Sequence, residues 1–548
     1  DYKRRKDCRM THRRDNHGKG VSIIDLAARG ETIVMSYHDK NVLRWLNPED
    51  GSVTAEVRID SPWGVAVDRN EQVYVISGKQ VLGATPGGKT NVVAKEELVS
   101  PRRLAIDDTT GDFLVSELDP THQVKRFSSA GELRATYGRR GGRQDGTYVP
   151  SNYLHITDIC TDGKGGFLIT EESPAPRRVA HFDDDGKLVD EWYGGQPYYA
   201  WGEPDPRNPL RAWFNPGGWL TLAEIDPETH TWRVLENYRQ SRLGGGLVRT
   251  VTGHRGRWHV LYRDGQRYLV CEGVPQVLAH DDGELRAVCV VSNNGTVVER
   301  AQEMAGHDDA AGAFRWLDRD ADGEPEAGEF TFAESRRVPS GRSVSDSFGV
   351  IGMASGRGEE GAYVRVTKTA VRWTEHGPMY PIGDEDGVNL RAGQVEVASP
   401  ATTGGTRGAC AFADEQGNVY AAYNTGNDRH GSSWPTVWGG RSRVAKWTPG
   451  GELRWQVGRH AIHGGLGGRP HTTPPGYLHV PAAIIGEIRN TIVMTDRVEW
   501  MGMVWTKDGL YAGDVLDGRV DDGLPDTVYY WWRTPDGREA IITSDNAT

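Results

Sequence analysis

Cysteine is scarce in this chain, and positive charge is in deficit. Five cysteines are spread over 548 residues: Cys8, Cys160, Cys271, Cys289 and Cys410. An odd, widely spaced set builds no disulfide framework. No C-x-x-C pair occurs, so a thiolate zinc site is not expected. Cys271 and Cys289 could meet across neighbouring strands, but the preferred reading is buried free thiols. Acidic residues outnumber basic ones, giving a net charge of −12, which disfavours a nucleic-acid partner. No apolar run approaches the roughly 18 residues of a membrane span. Also missing are helix-periodic runs of Ala, Leu, Glu and Lys. There is no G-x-S-x-G elbow, P-loop, Rossmann glycine set or H-E-x-x-H.

What is abundant points the other way. There are 70 glycines, 28 prolines and 18 tryptophans, and 37 % of residues are hydrophobic. That mix suits many short strands joined by tight turns, with aromatics packed between sheets. Residues 1–19 form a locally basic segment without an initiator Met or an apolar core. They are not a signal peptide, and the expectation is that the true N-terminus, with any export signal, lies upstream of residue 1.

Four segments superpose. They are WGVAVDRNEQVYVIS from Trp63, RRLAIDDTTGDFLVS from Arg102, ITDICTDGKGGFLIT from Ile156 and RGACAFADEQGNVYAAY from Arg407. Each is an apolar strand, an Asp (Asp68, Asp107, Asp162, Asp414), a short turn and a second apolar strand. A third strand follows with the pattern V-x-basic-aromatic or close to it, as in NVLRWLNPEDG, QVKRFSSAGEL, RRVAHFDDDGKL and SRVAKWTPGGEL. After a tight turn comes a fourth. A four-stranded unit recurring at roughly 40 to 55 residues has the spacing of a propeller blade. The P-x-G-V-A-V-D … V-Y-V core with its following strand resembles the NHL-repeat β-propellers. The resemblance is plain over residues 60–195 and 405–457, extends to 20–59 and 480–543, and degrades between about 200 and 400. It implies an all-β fold: one propeller of seven or eight four-stranded blades over residues 20–548, eight fitting better. Loop insertions are expected at about 194–219, 305–335 and 459–481. The fold does not fix a function, because propellers host lyases, lactonases, ligand readers and scaffolds.

With up-and-down strands a, b, c and d, the a–b and c–d turns share one edge of the blades. The b–c loops and d–a links share the other. The first set is short and rich in Gly, Asp and Pro. The second carries long segments, where binding and catalysis concentrate on a rigid scaffold.

Candidate catalytic groups on that edge are His38, Glu171, His430, His460 and Asp496. Histidine is a common base and ligand, and a carboxylate at a strand end can serve as acid or base. The plainer readings are solvent-facing histidines, an Asp496–Arg497 ion pair and a solvated loop glutamate. Tyr198, Tyr199, Trp201, Trp213, Trp434 and His471 are candidate ligand contacts, since aromatic faces suit sugar rings. The alternative is a small aromatic core that holds a long loop together.

Residues 318–329 read D-x-D-x-D-G-x5-E, the calcium-loop pattern. Asp318, Asp320 and Asp322 would supply side-chain oxygens, and Gly323 the sharp turn. Glu324 would offer its carbonyl, Glu326 a water-bridged position and Glu329 a bidentate carboxylate. Pro325 departs from the paired EF-hand pattern, and a single loop argues against a sensor. The expectation is therefore a secreted or periplasmic protein in which calcium staples an inserted segment. It would bind a glycan or protein ligand on its long-loop face, or act there as a polysaccharide lyase or hydrolase. No nucleic acid and no membrane span are expected, and the sequence leaves the oligomeric state open.

Overall fold

Alternating strands joined by Asp- and Gly-rich turns dictate a series of small antiparallel sheets, and the structure, a computed structural model, has them. It describes residues 23–194, 202–250 and 258–383, apart from positions 174, 230, 342, 359–360 and 370. Beyond these it describes 389–397, 407–424 (without 415), 442–457, 481–496 (without 489), 502–515, 527–533 and 539–544. The described residues form seven four-stranded sheets, one of five strands, one of six, and two-stranded hairpins. Their one α-helix is α1 (Gly295–Ala305). None of their helices is long and apolar enough to cross a membrane. The chain divides into two compact units, residues 1–144 with 148–196, and residues 145–147 with 197–548.

The first unit holds four sheets, each with its strands in sequence order. They are β1 (Ile23–Arg29), β2 (Thr32–Tyr37), β3 (Val42–Leu46) and β4 (Val53–Arg58); then β5 (Pro62–Val67), β6 (Val73–Ser77), β7 (Gln80–Ala84) and β8 (Thr90–Ala94). The third is β9 (Pro101–Ile106), β10 (Phe113–Glu117), β11 (Val124–Phe127) and β12 (Leu133–Tyr137). After the short β13 (Gly146–Thr147) comes the fourth: β14 (Ile156–Thr161), β15 (Phe167–Glu171), β16 (Arg178–Phe182) and β17 (Leu188–Tyr193).

First strands of successive sheets adjoin: β1 with β5, β5 with β9, β9 with β14. Close approach is possible because Gly64 has no side chain; a Cβ there would lie 2.8 Å from the Arg102 carbonyl. Arg103 fastens the arrangement, donating to the Thr157 carbonyl at 2.7 Å and the Ile24 carbonyl at 3.0 Å.

The V-x-basic-aromatic signature marks the third strand of the first, third and fourth sheets and recurs in the strand Ser442–Trp447, while β7 lacks it. Its aromatics Trp45, Phe127, Phe182 and Trp447 are all buried. The ladder to the fourth strand shifts register at or beside each of them, a bulge that bends the strand and increases its twist. Alternation buries one residue in two between sheets, as with Leu114, Val124, Ile159, Phe167, Ile169 and Phe182 in one cluster.

The second unit begins with β18 (Gly202–Asp205), β19 (Asn208–Phe214), β20 (Trp219–Asp226) and β21 (Thr231–Arg239), to which β13 adds a fifth strand. Sequence reading gave residues 194–219 as one long link. The structure instead makes 202–214 a hairpin, its alternation obscured by Pro204 and Pro209. Next come β22 (Trp258–Arg263), β23 (Gln266–Cys271), β24 (Gln276–Asp281), β25 (Glu284–Ser292), α1, β26 (Ala313–Leu317) and β27 (Phe330–Ala333), six strands in one sheet. Cys271 and Cys289 are buried in this unit as free thiols, and burial pushes the Cys289 thiol up to about 12. Three further four-stranded sheets and two hairpins, Arg372–Thr374 with Gly377–Met379 and Thr527–Arg533 with Glu539–Ser544, complete the described part of the unit.

Candidate functional site

The two edges of the first unit's sheets carry different chemistry. At the a–b turns, Asp68 accepts from the N–H groups of Asn70 and Gln72, each at 2.8 Å. Asp107 accepts from Thr109 and Asp162 from Lys164, also at 2.8 Å. In the second unit Asp414 does the same for Asn418 at 2.8 Å. These aspartates satisfy turn backbone and are committed to it.

At the opposite edge, the side chain ending strand b holds the link that enters its own sheet. Glu117 accepts from the backbone N–H of Val99 at 2.5 Å and Ser100 at 3.1 Å, and pairs with Lys125 at 3.0 Å. Glu171 accepts from Leu154 N–H, from both Arg143 contacts at 3.1 Å, and from Arg178 Nε. The side chains of Glu171 and Arg178 are 0 % exposed and that of Arg143 is 1 % exposed. Arg178 also donates to Tyr148 Oη at 2.6 Å, Glu191 at 2.7 Å and the Pro150 carbonyl at 2.6 Å. Burial would lower the Arg178 pKa, but Glu171, Tyr148 and Glu191 hold it above its ordinary range. Glu171 is thus the centre of a dry ion-pair network, with its oxygens occupied and water excluded.

His38 sits differently. It opens a 3-10 turn (His38–Lys40) after β2, and its ring lies 4.3 Å from that of Trp63. Its Nδ1 is buried and has no hydrogen-bond partner among the described residues. Arg102 covers Trp63 at 3.9 Å, and its pKa is lowered by burial and by the neighbouring Arg103. An imidazole, an indole and a guanidinium therefore meet here, and among the described residues no carboxylate is hydrogen-bonded to or ion-paired with either basic group.

The acidic loop leaves β26 and returns through the 3-10 turn Ala327–Glu329 to β27. Strands, not helices, frame it; Trp316 pairs with Phe330 across the ladder. The ligand atoms of Asp318, Asp320 and Asp322 lie within 4.8 Å of one another. Oxygens no farther apart than twice a Ca–O bond of ~2.4 Å can meet on one calcium ion. The turn is built by Ala321 at φ 69° and Gly323 at φ 78°. Asp318 accepts from Ala321 N–H at 2.9 Å, Asp320 from Asp322 N–H at 3.3 Å, and Asp322 from Glu324 N–H at 2.7 Å. Asp318 is also paired with Arg286. Burial raises the Asp318 carboxyl above the usual range, and Arg286 opposes the shift. Glu329 is buried, accepting from Arg319 N–H at 2.6 Å, Trp316 Nε1 at 2.8 Å and Glu326 N–H at 3.1 Å. Three of the six expected ligands converge. Glu324 and Glu326 are exposed, Glu326 takes part in a reciprocal cap with Glu329, and none of these three glutamates belongs to the converging group.

The remaining sequence candidates divide simply. Trp213 is 1 % exposed, in a core with Leu220, Tyr238 and Trp316, so it offers no face to a ligand. Asp496 ends the strand Thr491–Asp496. Tyr198, Tyr199, Trp201, His430, Trp434, His460 and His471 lie outside the described residues. Sequence reading missed the partners: Arg143 and Arg178 for Glu171, and Arg286 for Asp318. It also missed His259, which lies between Glu203 at 3.5 Å and Glu272 at 3.4 Å. Arg178 and Arg286 sit at strand positions a single sequence does not flag.

No family model matches the chain, and no curated protein matches it. Among solved structures it is similar to PorZ, a bacterial surface component of the type-IX secretion system of Porphyromonas gingivalis. The identity is 10 %, over 96 % of this chain and 69 % of that one, with a TM-score of 0.43. It is similar also to Kuenenia stuttgartiensis hydrazine synthase, at 10 % identity over 65 % of this chain and 80 % of that one, TM-score 0.27. Virginiamycin B lyase from Staphylococcus aureus shows 11 % identity over 48 % and 83 %, TM-score 0.26. Likenesses at these scores carry no argument, and the fold is read from the chain's own sheets.

Proposed function

We propose that the chain is an exported, calcium-binding β-propeller that holds a glycan or protein ligand on the edge formed by its b–c loops and d–a links. The propeller reading is supported by four-stranded sheets in sequence order whose first strands adjoin. Convergence of Asp318, Asp320 and Asp322 around a left-handed glycine turn supports calcium. Bound there, calcium would be held by those three carboxylates and would neutralise a charge-dense turn, fixing β26 to β27. A loop of this type fills at extracellular calcium levels even with modest affinity, which favours export.

The observation that carries binding over catalysis is the state of Glu171. A general acid or base needs a free oxygen within reach of substrate, and this carboxylate is enclosed by two arginines. A glycan array probed with the calcium-loaded chain tests the proposal: retention of defined glycans that is lost in Trp201→Ala or His430→Ala, at unchanged melting temperature, supports it. Failure of every glycan and of candidate surface proteins to be retained counts against it.

One observation favours the alternative, a polysaccharide lyase or hydrolase. The half-buried His38 stands with Arg102 at the Trp63 ring, an imidazole that suits a general base beside a cation that suits an anionic substrate. Ultraviolet absorbance of unsaturated products, or new reducing ends, that vanish in His38→Ala would establish that reading.

A further inference from the structure

A cavity of about 350 Å3 lies beside the acidic loop, within the range of roughly 300 to 1,000 Å3 typical of small-molecule sites. Three segments of the second unit wall it: the turn between β22 and β23, the start of the acidic loop, and the turn at residues 374–377. The first of these joins the leading two strands of its sheet, so the cavity is not part of the long-loop edge.

Its chemistry is that of an oxyanion site. Arg263, Arg286 and Arg319 all line it, with Tyr268, Trp373 and His376. Arg263 lies over the Trp373 indole at 4.2 Å. Edge contacts to Tyr268 at 5.6 Å and Phe348 at 4.9 Å fix that indole, whose N–H is buried and has no partner among the described residues. The guanidinium of Arg319 has no ion pair among the described residues. Three carboxylates are also present, two of them paired with arginines. Asp264 pairs with Arg263 at 3.3 Å, Asp318 with Arg286, and Glu375 with His376 at 3.4 Å. Of these, Asp318 is the one shared with the acidic loop.

We propose that this cavity binds a small carboxylate-bearing ligand of sugar-acid size, and that calcium in the acidic loop strengthens the binding. The coupling rests on the calcium reading of the loop. Calcium and Arg286 compete for the Asp318 carboxylate, so metal binding frees the Arg286 fork to face the cavity. A guanidinium takes a carboxylate through two parallel hydrogen bonds. A single negative charge is favoured over a dianion, because Asp264 and Glu375 remain in the wall. A neutral sugar would leave the guanidinium without a counter-charge.

The test is calorimetric titration of D-galacturonate into the full chain, calcium-saturated and EDTA-treated, with D-galactose as the neutral control and calcium alone titrated separately. The expected result is galacturonate binding at least about fivefold tighter with calcium, the lower end of typical coupling, and no binding of galactose. Arg263→Gln, a change at an exposed side chain, is expected to weaken galacturonate in both conditions while leaving the calcium titration unchanged. Arg286→Gln is expected to remove the calcium dependence. If calcium binds and galacturonate does not, or galactose binds equally well, this proposal is overturned and the calcium reading stands. If calcium itself gives no binding, both are overturned.

Discussion

Glu171 illustrates how a residue that looks chemical in sequence becomes structural in the fold. Removing one partner of a buried ion pair leaves an uncompensated charge in a dry site, at a cost of about 3–5 kcal/mol. Glu171→Ala is therefore expected to lower the unfolding free energy by about that much in urea denaturation, because it removes the carboxylate that Arg143 and Arg178 share and leaves Arg178 with Glu191 alone; a loss below about 1 kcal/mol, the range of an exposed pair, would contradict the network. His259 gives a pH signature. Burial depresses its pKa, but Glu203 and Glu272 outweigh burial and raise it to about 9, from an ordinary 6.5. Because the folded value is the higher one, the stabilisation is complete below about pH 6.5 and is lost as pH rises through 9. Melting temperature should fall across that window, and His259→Gln should flatten the fall; a wild-type curve level from pH 6.5 to 9 would refute it. The turn aspartates were legible in the sequence because their partners lie two to four residues away. Arg143 was not, because 28 residues separate it from Glu171 and folding alone brings them together.

The acidic loop is the element in which sequence and structure agree most fully on local geometry. D-x-D-x-D-G encodes its own turn: each short carboxylate accepts from a nearby N–H, and Gly323 supplies the left-handed residue. The flanks were not legible. A calcium loop suggests helices on either side, yet the fully buried Ala313–Leu317 and the alternating Phe330–Ala333 pair as strands and widen a sheet to six. A Cβ at residue 323 would come within 2.5 Å of the Arg286 side chain at φ 78°. Gly323→Ala should accordingly destabilise the chain by more than the roughly 0.4–1 kcal/mol that separates Gly from Ala at unstrained sites, seen as a lower urea midpoint. A midpoint equal to or above wild type would show that the turn is not held as described. The hairpin at 202–214 was hidden because two prolines interrupt the alternation that marks a strand.

At the scale of the whole molecule, the repeat made the all-β architecture legible wherever the V-x-basic-aromatic strand is intact. It left the region from about 200 to 400 obscure. There the sheets depart from four strands, through β13 joining the five-stranded sheet and through β26 and β27 extending the next. Sequence periodicity has no signal for a strand borrowed from far along the chain. The central claim, that a calcium-stapled loop is integral to this scaffold, is tested most directly by thermal unfolding across a calcium titration. Metal that binds only the native state stabilises it by about 2.7 kcal/mol at a hundred times its dissociation constant. The account predicts a melting temperature that rises with calcium, falls with EDTA, and in Asp318→Ala stays at the EDTA value whatever the calcium concentration. A wild-type melting temperature indifferent to calcium, or an Asp318→Ala chain that responds as wild type does, would contradict it.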